Sequence, residues 1–203
     1  MANWLSYYGN GYTAQNWSRA QRAQNVDIIA SYLNSIGWAI NAIAATLGNM
    51  EAESYINPGQ WEHSYAVEQT PAVGGFGLVQ WTPWTKYTNW AGADWKTNFN
   101  KQLYRLKYEL DNGLQWISTT AYPLSFLEYS QATEDVANVR WLAMCFFKNY
   151  ERGVGGEEAR MSNAEYWYSY LQQNPPQPWE DDGPTGRRKF KIMFYLKPYW
   201  KRF

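Results

Sequence analysis

The chain has 203 residues, a formal net charge of zero at pH 7, one cysteine and one histidine. This length suits one domain that buries its core without disulfides. With only Cys145 and His63, a disulfide, a zinc site and a Ser/His or Cys/His nucleophile pair are poorly supported, so any chemistry must rest mainly on carboxylates, tyrosines and amides. We therefore expect no cofactor and no metal.

The start of the chain, MANWLSYYGNGY, has no basic segment followed by an apolar one, so we expect no signal peptide. No apolar run reaches the roughly 18 residues that a membrane span needs. Apolar residues at helical spacing then predict five helices, near 20–35, 40–54, 97–112, 133–150 and 157–172. The second ends before the Asn57-Pro58 dipeptide, and the fourth begins at a Thr133 cap.

Between Tyr55 and Trp95 the helical periodicity fails, while glycines and prolines collect. We expect a short hairpin or long loops in this segment, which we call the insert. The predicted fold class is therefore predominantly α, with one glycine-rich insert after the second helix.

Charge divides the chain into three segments. Residues 187–203 hold seven of the 18 basic residues and no acid, so the rest carries 11 basic against 18 acidic residues, a net of −7. Residues 174–186 are rich in proline, acid and glycine, which is typical of a linker or an extended strap. We expect a domain over 1–173, a linker over 174–186 and a basic aromatic tail over 187–203.

Aromatic residues make up 19% of the chain, including 13 Trp and 17 Tyr. Two interpretations stay open. The rings either line an exposed groove that stacks on flat ligands such as sugars, or fill the core and an oligomer interface. Cys145 lies in an apolar run, which predicts a small buried side chain without a redox role.

Two glutamates stand close together at the end of the second predicted helix. At about 100° per residue, Glu51 shares the core face with Ala44 and Leu47, whereas Glu53 lies on another face. The helix dipole opposes ionisation at this end, and partial burial under the insert would add to that effect, which favours a general acid. Position alone still favours a solvated Glu53.

Five motifs in order change that balance: Leu47-Gly48-Asn49-Met50, Glu53-Ser54, Ile56-Asn57-Pro58-Gly59, Gly75-Phe76-Gly77-Leu78-Val79-Gln80-Trp81-Thr82-Pro83 and Tyr150-Glu151-Arg152. Over roughly residues 20–173 the chain resembles the phage tail lysozyme family, within the lysozyme-like and transglycosylase superfamily. The resemblance implies a lysozyme-like fold and places Glu53, not Glu51, at the catalytic position. It implies a muramidase that cleaves bacterial peptidoglycan from the tail of a virion during host entry.

The resemblance also gives the insert a role in substrate binding. Glycines such as Gly77 let the backbone approach a ligand closely, and free amides can bind N-acetyl groups. Gln80 would bind a sugar amide or orient Glu53, the alternative being ordinary hydrogen bonding within the loop. Trp81, Trp84 and Trp90 would stack on sugars, with at least one of them expected in the core, and Tyr150 would reach the cleft. We expect Glu151 and Arg152 to form a structural ion pair.

A second carboxylate is not selected by the sequence. Retaining and inverting glycosidases both need one, and the insert offers Glu62, Glu68 and Asp94. A lytic transglycosylase, which works with a single glutamate, therefore stays open beside a hydrolase. A non-catalytic tail-assembly or wall-binding module and a free endolysin are further alternatives.

The partners expected are peptidoglycan and phage tail proteins, with a homo-oligomer possible and no nucleic acid. In residues 187–203, seven basic residues alternate with six aromatic ones, a content that disordered solvating tails avoid. We expect this tail to dock on the acidic surface of its own domain or on an acceptor in the virion.

Overall fold

The computed structural model describes residues 2–9, 13–62, 73–133 and 136–180, without the side chains of 136 and 137. Seven α-helices lie in these ranges: α1 Arg19–Ser35, α2 Ile40–Ser54, α3 Thr85–Ala91, α4 Asn100–Asp111, α5 Phe126–Ser130, α6 Val136–Phe146 and α7 Glu157–Gln173. A π-helical turn, Phe147–Glu151, extends α6, and a 3₁₀ turn, Ala14–Asn16, precedes α1. The prediction of a predominantly α fold is confirmed.

Helix α2 lies at the centre of the fold and packs against both α6 and α7. Most of its side chains are buried, and many of them are small, which lets neighbouring helices approach closely. A Cβ atom on Gly48 would lie 2.6 Å from both the Ala164 nitrogen and the Arg160 oxygen of α7. This close crossing brings the first turns of α7 beside the C-terminal end of α2.

The five predicted helices correspond to α1, α2, α4, α6 with its π-helical turn, and α7. The α1 N-terminus is a capping box, in which the Ser18 hydroxyl accepts from the Gln21 amide and the Gln21 side chain accepts from the Ser18 amide. The short helices α3 and α5 were not predicted. Residues 134 and 135, beside the predicted Thr133 cap, lie outside the described ranges.

In its described part, the insert forms loops, single bridges and the short helix α3, not a hairpin of regular strands. Trp61 pairs with Phe76, and Phe76 pairs with Trp81, each through one isolated bridge. The Phe76 ring lies 4.7 Å from that of Trp61 and 5.1 Å from that of Trp95. Much of the aromatic content of the insert is therefore packed into the core of the domain.

After α7, residues 174–180 continue along the domain, and the Trp179 ring lies 5.3 Å from the Tyr32 ring of α1. This part of the predicted linker is thus a strap packed on the domain. Residues 181–203, including the predicted tail, lie outside the described ranges.

Cys145 is fully buried, and burial raises the pKa of its thiol to about 12. Among the described helices, none is both long and apolar enough to span a membrane.

Candidate active site

A cavity of about 520 Å³ opens where five parts of the chain meet: the end of α2, the insert, the loop after α4, the π-helical turn with the residues after it, and the start of α7. Its wall carries both acidic and basic side chains, together with aromatic rings. The charged residues of the wall are Glu53, Glu62, Lys86, Glu151, Arg152 and Arg160. Such a mixed polar wall suits a hydrophilic ligand better than an apolar one.

Glu53 lies in the last turn of α2 and is the more exposed of the two glutamates there. Its side chain is 24% exposed, and its Oε1 accepts a hydrogen bond from Arg160 Nη2. Beside it, the Ser54 hydroxyl donates to the Met50 and Leu78 carbonyls, both at 2.9 Å. The chain then leaves the helix at Tyr55, which has a left-handed conformation with φ of 56°. The helix end that carries Glu53 is thereby fixed to the insert.

Glu51, two residues earlier in α2, points into the protein. Its side chain is 6% exposed and accepts hydrogen bonds from Arg22 and from Trp167 Nε1, the latter at 2.7 Å. Arg19 adds a longer contact of 3.4 Å. Glu51 therefore joins α1, α2 and α7 within the core, on the face that the helical spacing predicts, and does not line the cavity.

Glu151, at the end of the π-helical turn, lies next to Glu53 and shares its cation. Its Oε2 is 3.3 Å from Arg160 Nη2, and its side chain is 6% exposed. Burial, and then the negative charge of Glu53, raise the pKa of the Glu151 carboxyl well above its usual range, while Arg160 opposes this shift. The predicted Glu151–Arg152 ion pair is wrong, because Arg152 instead donates to the Gln115 carbonyl at 2.6 Å.

The glycine and glutamine of the predicted substrate loop hold the insert in shape. Gly77 is buried, with φ of +84°, and a Cβ there would lie 2.7 Å from Gln102 Oε1. Gln80 lines the cavity, and its Nε2 donates to the carbonyls of Gly77 at 2.9 Å and Gln60 at 3.1 Å. Gln80 thus lies beside the space for a ligand, whereas Gly77 supports the loop from behind.

Trp81 and Tyr150 also lie in the cavity wall, but they are only 3% and 1% exposed. Both donate to the buried Glu109 of α4: Trp81 Nε1 at 3.1 Å to Oε1, and the Tyr150 hydroxyl to Oε2. Burial, followed by the charge of Glu109, raises the pKa of Tyr150 well above its usual range, so its hydroxyl stays a donor. Their polar atoms are engaged within the protein, and their rings shape the wall.

The three carboxylates expected from the insert have different environments. Glu62 lines the cavity, and its Oε2 accepts from the Gly75 amide at 2.8 Å. Asp94 forms an ion pair with Lys101 and does not line the cavity. Glu68 lies outside the described residues. Within the described ranges, no cluster of three His, Cys, Asp or Glu side chains could hold a metal ion.

A mainly helical domain whose central helix ends in a partly exposed glutamate at a polar cavity is a lysozyme-like domain. The profile of the phage tail lysozyme family matches residues 24–171, and the chain belongs to this family. A relative, Morphogenesis protein 1 of Bacillus phage B103, is 39% identical over 170 residues. The match covers 82% of this chain and 43% of the relative, so the chain spans less than half the relative's length.

Proposed function

We propose that this protein cleaves the glycan strand of bacterial peptidoglycan as a lysozyme, with Glu53 as the general acid. The observation that carries the proposal is the contrast between the two glutamates of α2: Glu53 opens onto the cavity, and Glu51 is enclosed by arginines and Trp167. Family membership over residues 24–171 supports the same activity.

In the proposed reaction, Glu53 gives its proton to the glycosidic oxygen while the C1–O bond breaks and the muramic acid ring gains oxocarbenium character. Arg160 stabilises the carboxylate that Glu53 becomes. In hydrolysis, water supplies hydroxide to C1 and returns a proton to the carboxylate. In the transglycosylase alternative, a hydroxyl of the sugar itself attacks C1, gives its proton to the Glu53 carboxylate and yields an anhydro end.

The setting that we propose is a phage tail, where the enzyme would open the host cell wall during entry. Peptidoglycan is then its substrate, and residues 187–203 would dock on tail proteins or support a homo-oligomer. The word "morphogenesis" in the name of the relative favours a second candidate function, a non-catalytic part in tail assembly or wall binding.

Loss of turbidity of purified cell walls tests the proposal directly. Glu53→Gln should reduce the rate roughly 10²-fold or more, because it removes the proton donor. Mass spectrometry of the products separates the two reactions, since a hydrolase releases reducing ends about 18 mass units heavier than the anhydro ends of a transglycosylase. Normal digestion by Glu53→Gln contradicts the assignment, and a wild-type protein that leaves walls intact favours the assembly role.

A further inference from the structure

Three charged side chains meet in the cavity wall, one each from α2, the π-helical turn and α7. Arg160 contacts both carboxylates: its Nη2 donates to Glu53 Oε1 and to Glu151 Oε2, the latter at 3.3 Å. Its Nε lies 3.4 Å from the same Glu151 oxygen. The guanidinium also lies over the Phe147 ring, 4.0 Å from the centroid, which fixes its plane. One cation therefore serves two acids.

The charges of this cluster do not balance when both carboxyls are ionised. The cluster would then carry one excess negative charge, although the side chains of Arg160 and Glu151 are only 10% and 6% exposed. An unbalanced charge with so little water around it is costly. One added proton makes the cluster neutral.

An unpaired oxygen indicates where that proton belongs. Glu151 Oε1 is buried and has no hydrogen-bond partner in the described part of the chain. The Glu53 carboxyl contacts the same Arg160 Nη2 as Glu151, so the two carboxyls are neighbours, but two ionised carboxylates cannot hydrogen-bond to each other. A proton between the two carboxyls turns one acid into a donor and satisfies both.

We propose that Glu151 is a positioning residue for Glu53, holding one shared proton in the Glu53–Glu151–Arg160 cluster at neutral pH so that Glu53 can deliver it to the substrate. The proposal rests on the proposed function. Glu53 is the delivering member because it is 24% exposed at the cavity, against 6% for Glu151. After delivery both carboxyls are ionised against Arg160, and the proton returns from the water that adds hydroxide to C1.

The other titratable groups near Glu151 do not neutralise the excess negative charge of the cluster. Tyr129 of α5 is fully buried, and burial raises the pKa of its hydroxyl well above the usual range, so it stays neutral. Arg152, the next residue, is exposed and donates to the Gln115 carbonyl. Glu53 and Arg160 are therefore the charges that decide the protonation of Glu151.

The test is the pH profile of kcat/KM on soluble glycan fragments for Glu151→Gln. The substitution keeps the side-chain shape but removes one of the two acids of the cluster, so Glu53 and Arg160 alone balance in charge without an added proton. We expect the alkaline limb of the profile to move about one pH unit towards acid, with about a tenfold loss above the limb and little loss below it. Glu158→Gln, the same change at an exposed α7 acid that binds Arg140, should leave the limb in place.

A purely structural Glu151 would reduce activity by the same factor at every pH, and an unmoved alkaline limb overturns the proposal. Stability gives a second readout. Since the folded-state pKa of Glu151 lies above its ordinary 4.5, its contribution to stability is complete below pH 4.5 and is lost as the pH rises through the folded value. The Tm of Glu151→Gln should therefore increase relative to the Tm of the wild type as the pH rises.

If Glu151→Gln does not fold, carboxyl-carbon NMR on the wild type and Glu53→Gln tests the same idea. The Glu151 midpoint should lie well above 4.5 in the wild type and fall by about one unit in Glu53→Gln. A wild-type midpoint near 4.5 overturns the proposal. Retained activity in Glu53→Gln would refute the proposed function instead, because that result tests Glu53 as the acid and not Glu151 as the residue that shares its proton.

Discussion

Replacing each of the two glutamates of α2 by glutamine should show that Glu51 contributes to stability and Glu53 to activity. In Glu51→Gln, the buried Arg22 loses the anion that balances it, while the neutral amide can still accept a hydrogen bond from Trp167. Breaking a buried ion pair by removing one partner costs about 3–5 kcal/mol, and the retained amide favours the lower end. At roughly 2–4 °C per kcal/mol for a chain of this size, we expect a loss of roughly 6–12 °C in Tm.

Glu53→Gln should behave differently, because its surroundings differ. The side chain is partly exposed, and Arg160 keeps Glu151 as a partner after the change. The substitution also removes one of two adjacent negative charges. We therefore expect a Tm within a few degrees of the wild type, roughly 1 kcal/mol or less in free energy of unfolding.

The assay pairs differential scanning calorimetry with wall turbidity at a temperature below both transitions. Glu51→Gln should digest walls at close to the wild-type rate per folded molecule, while Glu53→Gln should be almost inactive. Comparable Tm losses in the two variants would refute the distinction between a core and a cavity glutamate. A Glu51→Gln protein that is stable but inactive would show that the catalytic assignment had been given to the wrong residue.

Two further predictions concern the α2–α7 crossing and the tail. Gly48→Val should lower the free energy of unfolding by about 3 kcal/mol or more and reduce activity, because backbone atoms of α7 lie 2.6 Å from the new Cβ and Arg160 is displaced. Adding Ala164→Gly should not restore the Tm measured by calorimetry, since the clash is with the backbone. A full rescue would contradict this account. Truncation after Gly186 should leave cleavage of soluble glycan fragments intact and change the oligomeric state or particle incorporation, measured by light scattering and particle assembly. A truncated protein in the same assembly but without catalysis would assign the tail to the active site.

The sequence predicted what depends on local periodicity. Helices α1 and α2 follow apolar spacing over 15 residues or more, so their bounds agree closely with the expected ones. Helix α5 has only five residues and was missed, because so short a segment shows no full period. The different directions of Glu51 and Glu53 follow from the same geometry, and these two side chains do lie on different faces.

Local periodicity does not predict contacts between side chains that are far apart in the sequence. Tyr150 and Trp81 have their polar atoms bound by Glu109, a residue of α4 that no local pattern connects to either. The neighbour of Glu151 in sequence, Arg152, was the obvious cation, yet the packing of α7 on α2 supplies Arg160 instead.

The same crossing explains why two acids in the site share one cation. Gly48 lets α7 approach α2 closely, and Arg160 is one of the residues at that contact. Arg160 thus reaches Glu53 at the end of α2 and Glu151 at the end of the π-helical turn, while burial keeps most water away from the Glu151 carboxyl. A second arginine at this position would hold both carboxyls ionised and leave no proton to donate. In the proposed mechanism, the shared proton is therefore a consequence of helix packing that provides one cation for two carboxyls.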